Sequence, residues 1–243
     1  MRKLIINADD FGISQGTSLG IIAAHENGVV SSTTAMMNMP YVKEALQLAA
    51  RYPNLGVGIH LVLTTGVPVT GDCSSLVDES GNLHSQKQGF DHCEVDLKEL
   101  EKEWDAQIQK FIELAGKLPT HIDSHHHVHL RRNLIGVALK LAKKYDIPMR
   151  QTTQDLTDYE PVVCFDKMYD GDVNLEYLAR HLDNEHPFQE VMCHPGYLDK
   201  YIYENSSYNV SRIYELEFYR SPQLREYVTQ NFELVNYSAV VKK

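Results

Sequence analysis

Long hydrophobic runs are absent from this sequence. No stretch approaches the roughly 20 apolar residues that a membrane-spanning helix needs. The apolar run near the N-terminus, L-I-I after a basic pair, is too short for the hydrophobic core of a signal peptide. We therefore expect a protein that does not insert into membranes and that works in the cytoplasm.

The sequence also lacks closely spaced cysteines, and it has fewer basic than acidic residues. The four cysteines, at positions 73, 93, 164 and 193, lie far apart and form no C-x-x-C motif. A zinc site built from thiolates is therefore not expected, and reduced thiols are the default. Lys and Arg number 23 against 33 Asp and Glu, which gives a net charge of −10. This balance argues against nucleic acid or an anionic membrane as the main partner.

No linker rich in Pro, Gly or Ser divides the chain. A length of 243 residues suits one α/β barrel, so we predict a single domain over residues 1–243. Apolar runs alternate with amphipathic segments along the whole length. The alternation predicts a parallel sheet with helices outside it, in an irregular (β/α) barrel with mostly parallel strands.

The predicted elements follow from hydrophobic period and from helix end signals. Strands are predicted at residues 3–8, 29–38, 56–63, 120–127, 147–152, 191–193 and 232–240. Helices are predicted at residues 16–26, 41–51, 95–115, 133–144 and 174–184, and a last helix begins at Ser221 with Pro222 in its first turn. Two long loops, at residues 64–93 and 153–172, and the segment 195–208 are expected to overhang the carboxyl ends of the strands.

Histidine is concentrated in one internal block. Residues 120–130 read T-H-I-D-S-H-H-H-V-H-L and contain five of the twelve histidines. If residues 120–127 form a strand, alternation places His121, Asp123, His125 and His127 on one face. Buried imidazoles and a carboxylate need hydrogen-bond partners or a metal ion, so this block predicts a functional site.

Several predicted strands end in side chains suited to catalysis. These are Asp9, Asp10, His60, His125, Arg150 and His194. In a parallel barrel the carboxyl ends of the strands together form the active site. One Asp and two His leave positions on a divalent ion open to water, as in catalytic metal centres. A further carboxylate can accept a proton and a further His can donate one, so the set suits metal-assisted hydrolysis of an amide.

Five motifs extend over nearly the whole chain. They are N-A-D-D-F-G at 7–12, S-T-T-A at 32–35, G-I-H-L-V-L-T at 58–64, P-T-H-I-D-S-H-H-H-V-H at 119–129 and V-M-C-H-P-G at 191–196. In order and spacing they resemble the YdjC-like carbohydrate deacetylases, which include the chitooligosaccharide deacetylases. The resemblance implies an irregular (β/α) barrel related to that of polysaccharide deacetylases.

The resemblance also implies roles for individual residues. Asp9 matches the general base, His194 the acid that protonates the departing amine, and Asp10, His60 and His125 the ligands of a divalent metal ion, Mg²⁺ or Zn²⁺. The implied reaction removes the N-acetyl group from a small amino sugar or oligosaccharide, for example diacetylchitobiose or its 6-phosphate. A homodimer is implied as well.

Three further residues are candidates for substrate binding or support. Arg150 is expected to keep Asp9 charged through a charge-assisted hydrogen bond, and His127 lies beside the proposed ligand His125. Tyr197, with Tyr201 and Tyr203, either stacks on sugar rings or is an ordinary surface aromatic residue.

Other functions remain open at this point. His125-x-His127 resembles the H-x-H motif of amidohydrolases and metal-dependent phosphoesterases, although those enzymes carry it on the first strand. A carbohydrate-binding protein without activity is a second alternative. A glycosidase that uses Asp9 and Asp10 as its pair is disfavoured, because neighbours on one strand point to opposite faces.

Overall fold

The computed structural model describes residues 2–85, 95–150, 156–168, 173–182 and 186–243. Within these ranges the strands are β1 (Arg2–Phe11), β2 (Ser32–Ala35), β3 (Gly56–Leu61), β4 (Ile122–Ser124), β5 (Val162–Phe165), β6 (Phe188–Cys193) and β7 (Phe232–Leu234). The helices are α1 (Gln15–Glu26), α2 (Val42–Ala49), α3 (Leu97–Ala115), α4 (Ile135–Tyr145), α5 (Leu175–His181), α6 (Lys200–Asn205), α7 (Ser211–Tyr219) and α8 (Pro222–Asn231).

All seven strands belong to one parallel sheet. Its order is β4-β3-β2-β1-β6-β5, and β7 pairs with the start of β1. Every pairing between these strands is parallel, so their carboxyl ends lie along the same edge. In the described part of the chain no ladder joins β4 to β5, and the barrel is open there. The predicted parallel α/β sheet is confirmed.

Helix α3 shows why these residues fold locally as they do. The Asp96 carboxylate caps it by accepting the backbone N–H groups of Lys98 and Glu99, and Gly116 ends it with a φ of 67°. Its buried stripe includes Leu100, Trp104, Ile108 and Phe111. The predicted start of α8 is also confirmed, because the Ser221 hydroxyl accepts the N–H of Leu224 and Pro222 lies in the first turn.

The predicted histidine strand is wrong beyond residue 124. Strand β4 ends at Ser124, and His125–Leu130 follow as 3-10 turns that a kink at His126 and His127 interrupts. His126 and His127 have φ values of 56° and 53°, in the left-handed region. A backbone that turns there cannot alternate its side chains between two faces, so the strand argument does not apply to His125 and His127.

Other element boundaries also differ from the prediction. Residues 147–150 form only a parallel bridge from Met149 to Ile122. Strand β6 begins three residues before the predicted start at 191, and β7 is followed by a 3-10 turn at Tyr237–Ala239. Three short elements were not predicted: β5, α6 and α7.

Parts of several predicted elements lie outside the described residues. These are residues 86–93 of the first long loop, 151–152 of the fifth predicted strand, 153–155 and 169–172 of the second loop, and 183–184 of the fifth predicted helix. Among the helices that are described, none combines the length and apolar character required to cross a membrane.

Candidate active site

The carboxyl edge of the sheet opens into a cavity of about 490 Å³. Strand β1 contributes both of its aspartates, and β3 contributes His60. The turn after β4 contributes His125, and the residue after β6 is His194. Thr64 and Ser85 from the first long loop, and residues 205–208, also line it. The described parts of these two segments therefore overhang the site as expected.

A backbone irregularity turns both Asp9 and Asp10 toward this cavity. The β1–β2 register shifts between Ala8 and Phe11, and Asp10 has a φ of 69°. Such a bulge places two consecutive side chains on one side of a strand, where regular alternation would separate them. The argument that these neighbours point to opposite faces is therefore wrong for this pair.

Asp10, His60 and His125 converge on one point. Asp10 Oδ1 lies 3.4 Å from His60 Nε2 and 3.0 Å from His125 Nδ1. One ligand atom from each residue falls within 4.8 Å of the other two. One carboxylate oxygen and two imidazole nitrogens are ligands that suit a divalent ion with positions left open for water.

His60 is held so that its Nε2 atom faces this point. Its Nδ1 atom lies 2.7 Å from Asp123 Oδ1, and Thr34 Oγ1 donates to the other oxygen of Asp123 at 3.0 Å. Burial alone would lower the pKa of His60, but Asp123, Asp9 and Asp10 together raise it to about 10. A carboxylate behind a histidine is the usual way to orient a metal-binding imidazole.

Asp9 is bound by Arg150. Arg150 Nη1 donates to Asp9 Oδ2 at 2.8 Å and Nη2 donates to Oδ1 at 2.6 Å. The same guanidinium contacts Asp123 at 2.8 Å and Glu190 at 2.7 Å. Burial would raise the pKa of Asp9, but the Arg150 charge and hydrogen bonds hold it below its usual range, so the carboxylate is ionised.

A different arginine binds Asp10. Arg212, from α7, donates from Nη2 to Asp10 Oδ2 at 2.6 Å. Burial would raise the pKa of Asp10, but the charges of Arg212 and His125 and the hydrogen bonds from His125 and His60 hold it well below its usual value. The two aspartates therefore enter the cavity as ionised groups with separate cationic partners.

His194 lies at the cavity wall beside a buried glutamate. Its backbone N–H donates to Glu215 Oε2 at 2.5 Å, and its Nδ1 atom is 3.9 Å from Glu215 Oε1. Burial lowers the pKa of His194 to about 4, although Asp10 and Asp9 act in the opposite direction. Burial raises the pKa of Glu215 to about 7, against hydrogen bonds from the His194 backbone and the Tyr208 hydroxyl.

Comparison with known proteins identifies the family. A family model described as YdjC-like protein matches residues 3–230. The chain belongs to the YdjC-like family. A protein of Brevibacillus brevis named carbohydrate deacetylase is 40% identical in an alignment that covers 97% of this chain and 98% of that protein. A Vibrio cholerae protein of the same name is 36% identical and covers 98% of this chain, with 96% of its own length matched.

Solved structures place the YdjC-like chain in a known fold. The crystal structure of a proposed cellobiose-phosphate cleavage protein of Enterococcus faecalis has a TM-score of 0.90 at 37% identity, with 98% of each chain covered. A family 4 carbohydrate esterase from Streptomyces lividans has a TM-score of 0.52 at 11% identity, over 97% of this chain and 91% of that one. The second likeness concerns the fold alone, and it confirms the predicted polysaccharide-deacetylase-like barrel.

Of the other candidate residues for substrate binding in the YdjC-like chain, His127 lines the cavity and Tyr197 does not. The His127 Nε2 atom lies 3.9 Å from Asp166 Oδ2. Burial lowers the pKa of His127. Tyr197 does not line the cavity, and 44% of its surface is exposed. Tyr208, which was not singled out from the sequence, does line it.

Sequence analysis of this YdjC-like protein also missed Arg212 and Glu215. Helix α7 reads S-R-I-Y-E-L-E-F-Y, and its buried residues are Arg212, Glu215, Leu216 and Tyr219. These positions follow the i, i+3, i+4, i+7 spacing of a buried helix face. Charged residues in the first two of those positions were the available signal, because a buried charge needs a partner.

Proposed function

We propose that this YdjC-like protein is a metal-dependent carbohydrate N-deacetylase. Its substrate is a small N-acetylated amino sugar or oligosaccharide, such as diacetylchitobiose or its 6-phosphate, and it releases acetate. The observation that carries the proposal is the convergence of Asp10, His60 and His125 beside ionised Asp9 in one cavity. Relatives named carbohydrate deacetylase, matched over nearly their whole length, support the same reaction.

The donor set fits a divalent metal ion, Mg²⁺ or Zn²⁺. Asp10 Oδ1, His60 Nε2 and His125 Nδ1 face one another, and Asp123 fixes the orientation of His60. When bound there, such an ion would act as a Lewis acid that polarises the acetyl carbonyl and lowers the pKa of a water molecule.

Asp9 acts as the general base in this proposal. Arg150 keeps its carboxylate ionised and fixes both of its oxygens, and Asn7 Nδ2 donates to Oδ1 at 2.8 Å. The carboxylate lies on the same side as the ligand set, with Oδ2 at 3.9 Å from His60 Nε2. In the proposed reaction it takes the proton of the attacking water as the C–O bond forms.

His194 supplies the proton that leaves with the amine. Its ring lines the cavity that contains the two aspartates. Burial lowers the pKa of the free ring to about 4, so the ring is neutral at neutral pH, and the proton it passes to the amine nitrogen as the C–N bond breaks is the one that Asp9 takes from the attacking water. His127 and Arg150 are supporting residues, and Tyr197 is proposed as an outer contact for a longer sugar.

We further propose a homodimer that works in the cytoplasm, with neither nucleic acid nor membrane as partner. The acidic net charge of −10 supports the exclusion of polyanionic partners. Light scattering on the purified protein tests the dimer, since a mass of one chain of 27.7 kDa would contradict it.

A substrate panel tests the function. The metal-loaded protein is incubated with N-acetylglucosamine, its short oligomers and their 6-phosphates, and liberated acetate is assayed. Acetate with an equal amount of free amine supports deacetylation. Release of phosphate without acetate would favour a phosphoesterase, and release of monosaccharides would favour a glycosidase. Metal binding without turnover over the whole panel would favour a carbohydrate-binding protein.

A further inference from the structure

The two oxygens of the Asp10 carboxylate face different partners. The Arg212 guanidinium donates from Nη2 to Oδ2 at 2.6 Å, while Oδ1 faces His60 Nε2 at 3.4 Å and His125 Nδ1 at 3.0 Å. Arg212 and Asp10 are both about 2% exposed or less. In so dry an environment a charged pair at this distance resists rotation of the carboxylate.

The arginine itself is fixed from the other side by Tyr208. Arg212 Nε donates to the Tyr208 carbonyl oxygen at 2.9 Å, and the guanidinium carbon lies 5.6 Å from the centre of the Tyr208 ring. The Arg212 carbonyl oxygen also accepts the Gly196 N–H at 3.1 Å, which docks α7 against the turn that follows His194. Both the backbone and the head group of Arg212 are therefore held before any ion binds.

The buried contact between Arg212 and Asp10 is costly for folding. Arg212 Nη1 is buried without a hydrogen-bond partner among the described residues, and Asp10 is its one carboxylate within 4.0 Å there. Arg150, by contrast, contacts the three carboxylates of Asp9, Asp123 and Glu190. Burying a guanidinium with an unpaired N–H costs stability that an apolar side chain would not cost. Such a cost points to a role for Arg212 in the site.

We propose that Arg212 is a positioning residue of the metal centre. It fixes Asp10 so that a single oxygen, Oδ1, is presented to the ion together with His60 and His125, and it does so before the ion arrives. Arg212 acts through Asp10 and not through contact with the substrate. The inference rests on the metal dependence included in the proposed function.

Substitutions of Arg212 should therefore change metal affinity. Arg212→Gln and Arg212→Met both remove the cation, so Asp10 is free to rotate. Arg212→Met also keeps an apolar stem and buries no polar amide that would need a partner. We expect the Kd for Zn²⁺ to weaken about 10–100-fold, the usual effect of losing a residue that orients a ligand. Arg212→Lys keeps a cation for Asp10 Oδ2 and should bind within about five-fold of the wild type.

The test is calorimetric titration of metal-stripped protein with Zn²⁺. The matched control is Arg180→Gln, which removes an arginine from the exposed face of α5, where its partner is Glu176 in the same helix. It should bind Zn²⁺ as the wild type does. Circular dichroism of each metal-free variant shows whether it is folded, so that a change in Zn²⁺ affinity is not confused with unfolding. If Arg212→Gln does not fold, the Kd for Zn²⁺ is taken from Arg212→Met.

The outcomes distinguish this inference from the proposed function. Weakened binding in Arg212→Gln or Arg212→Met with recovery in Arg212→Lys supports the positioning role. The positioning role is overturned if Arg212→Gln or Arg212→Met folds and binds Zn²⁺ as tightly as the wild type. It is also overturned if Arg212→Lys binds Zn²⁺ as weakly as Arg212→Gln. A wild-type protein that binds neither Zn²⁺ nor Mg²⁺ overturns the metal centre itself and this inference with it.

Discussion

Asp9 and Asp10 are adjacent in sequence, line the same cavity, and are bound by different buried arginines. Arg150 holds both oxygens of Asp9, whereas Arg212 holds only Oδ2 of Asp10. The left-handed backbone at Asp10 makes this arrangement possible within one strand. One carboxylate is thus fully engaged by its arginine, and the other keeps an oxygen directed at two histidines. This difference fits the proposed ligand role of Asp10, whose Oδ1 faces the two histidines.

Substitution of Asp9 should separate catalysis from metal binding. Asp9→Asn keeps the side-chain volume but removes the proton acceptor, so we expect kcat for acetate release to fall about 10²–10⁴-fold. The Kd for Zn²⁺, measured by calorimetry, should stay within about five-fold of the wild type, because Asp10, His60 and His125 are intact. An unchanged rate would remove Asp9 from the mechanism.

Loss of a proposed metal ligand should abolish metal binding and acetate release together. Asp10→Ala and His125→Ala each remove one of three proposed ligand atoms, and we expect no stoichiometric Zn²⁺ by elemental analysis and no acetate above background. His181→Ala, an exposed histidine on α5, is the matched control and should retain both. Full metal content in His125→Ala would show that the ion binds elsewhere.

Metal uptake should release a proton. Asp123, Asp9 and Asp10 outweigh the effect of burial and raise the pKa of His60 to about 10, so in the metal-free protein the ring is protonated at neutral pH. An ion can bind Nε2 only after that proton leaves. Titration with Zn²⁺ at about pH 7 in buffers of different ionisation enthalpy should give about one proton released per ion. A value near zero would contradict a charged His60.

Glu215 should make stability fall as pH rises. Burial raises its pKa from an ordinary value of 4.5 to about 7, so the folded state binds the proton more tightly than the unfolded state does. Its contribution is complete below about pH 4.5 and is lost as pH rises through about 7. The shift corresponds to roughly 3 kcal/mol, as an order of magnitude.

Glu215→Gln carries no such proton and provides the comparison. The free energy of unfolding of the wild type minus that of Glu215→Gln, from urea denaturation, should decrease by roughly 3 kcal/mol between about pH 4.5 and about pH 8. Groups that titrate in both proteins cancel in this difference. A difference that does not vary with pH would show that Glu215 titrates in the folded protein as it does in the unfolded chain.

The sequence indicated the parallel sheet and the residues at its carboxyl edge well, because regular strands and long amphipathic helices leave clear periodic patterns. Residues such as His60 and Asp9 follow apolar strand residues directly, and the rule that active sites form at strand ends brings them together. Helix α3 and the start of α8 were predictable for a similar reason, since their caps and stripes are local.

The local geometry of the site was not predictable from such patterns. His126 and His127 adopt left-handed conformations that residue type alone does not indicate, so the histidine strand was predicted too long. Arg212 was missed because its charge is paired with Asp10, about 200 residues away, by tertiary structure alone. Strand β5, V-V-C-F, is too short for its period to be recognised inside a long loop.

The position of the metal ion tests this account most directly. Crystals soaked in Zn²⁺ should give an anomalous difference peak about 2.0–2.3 Å from Asp10 Oδ1, His60 Nε2 and His125 Nδ1, with Arg212 still on Asp10 Oδ2. A crystal that takes up Zn²⁺ only at other residues, and leaves these three atoms without a shared peak, would contradict it.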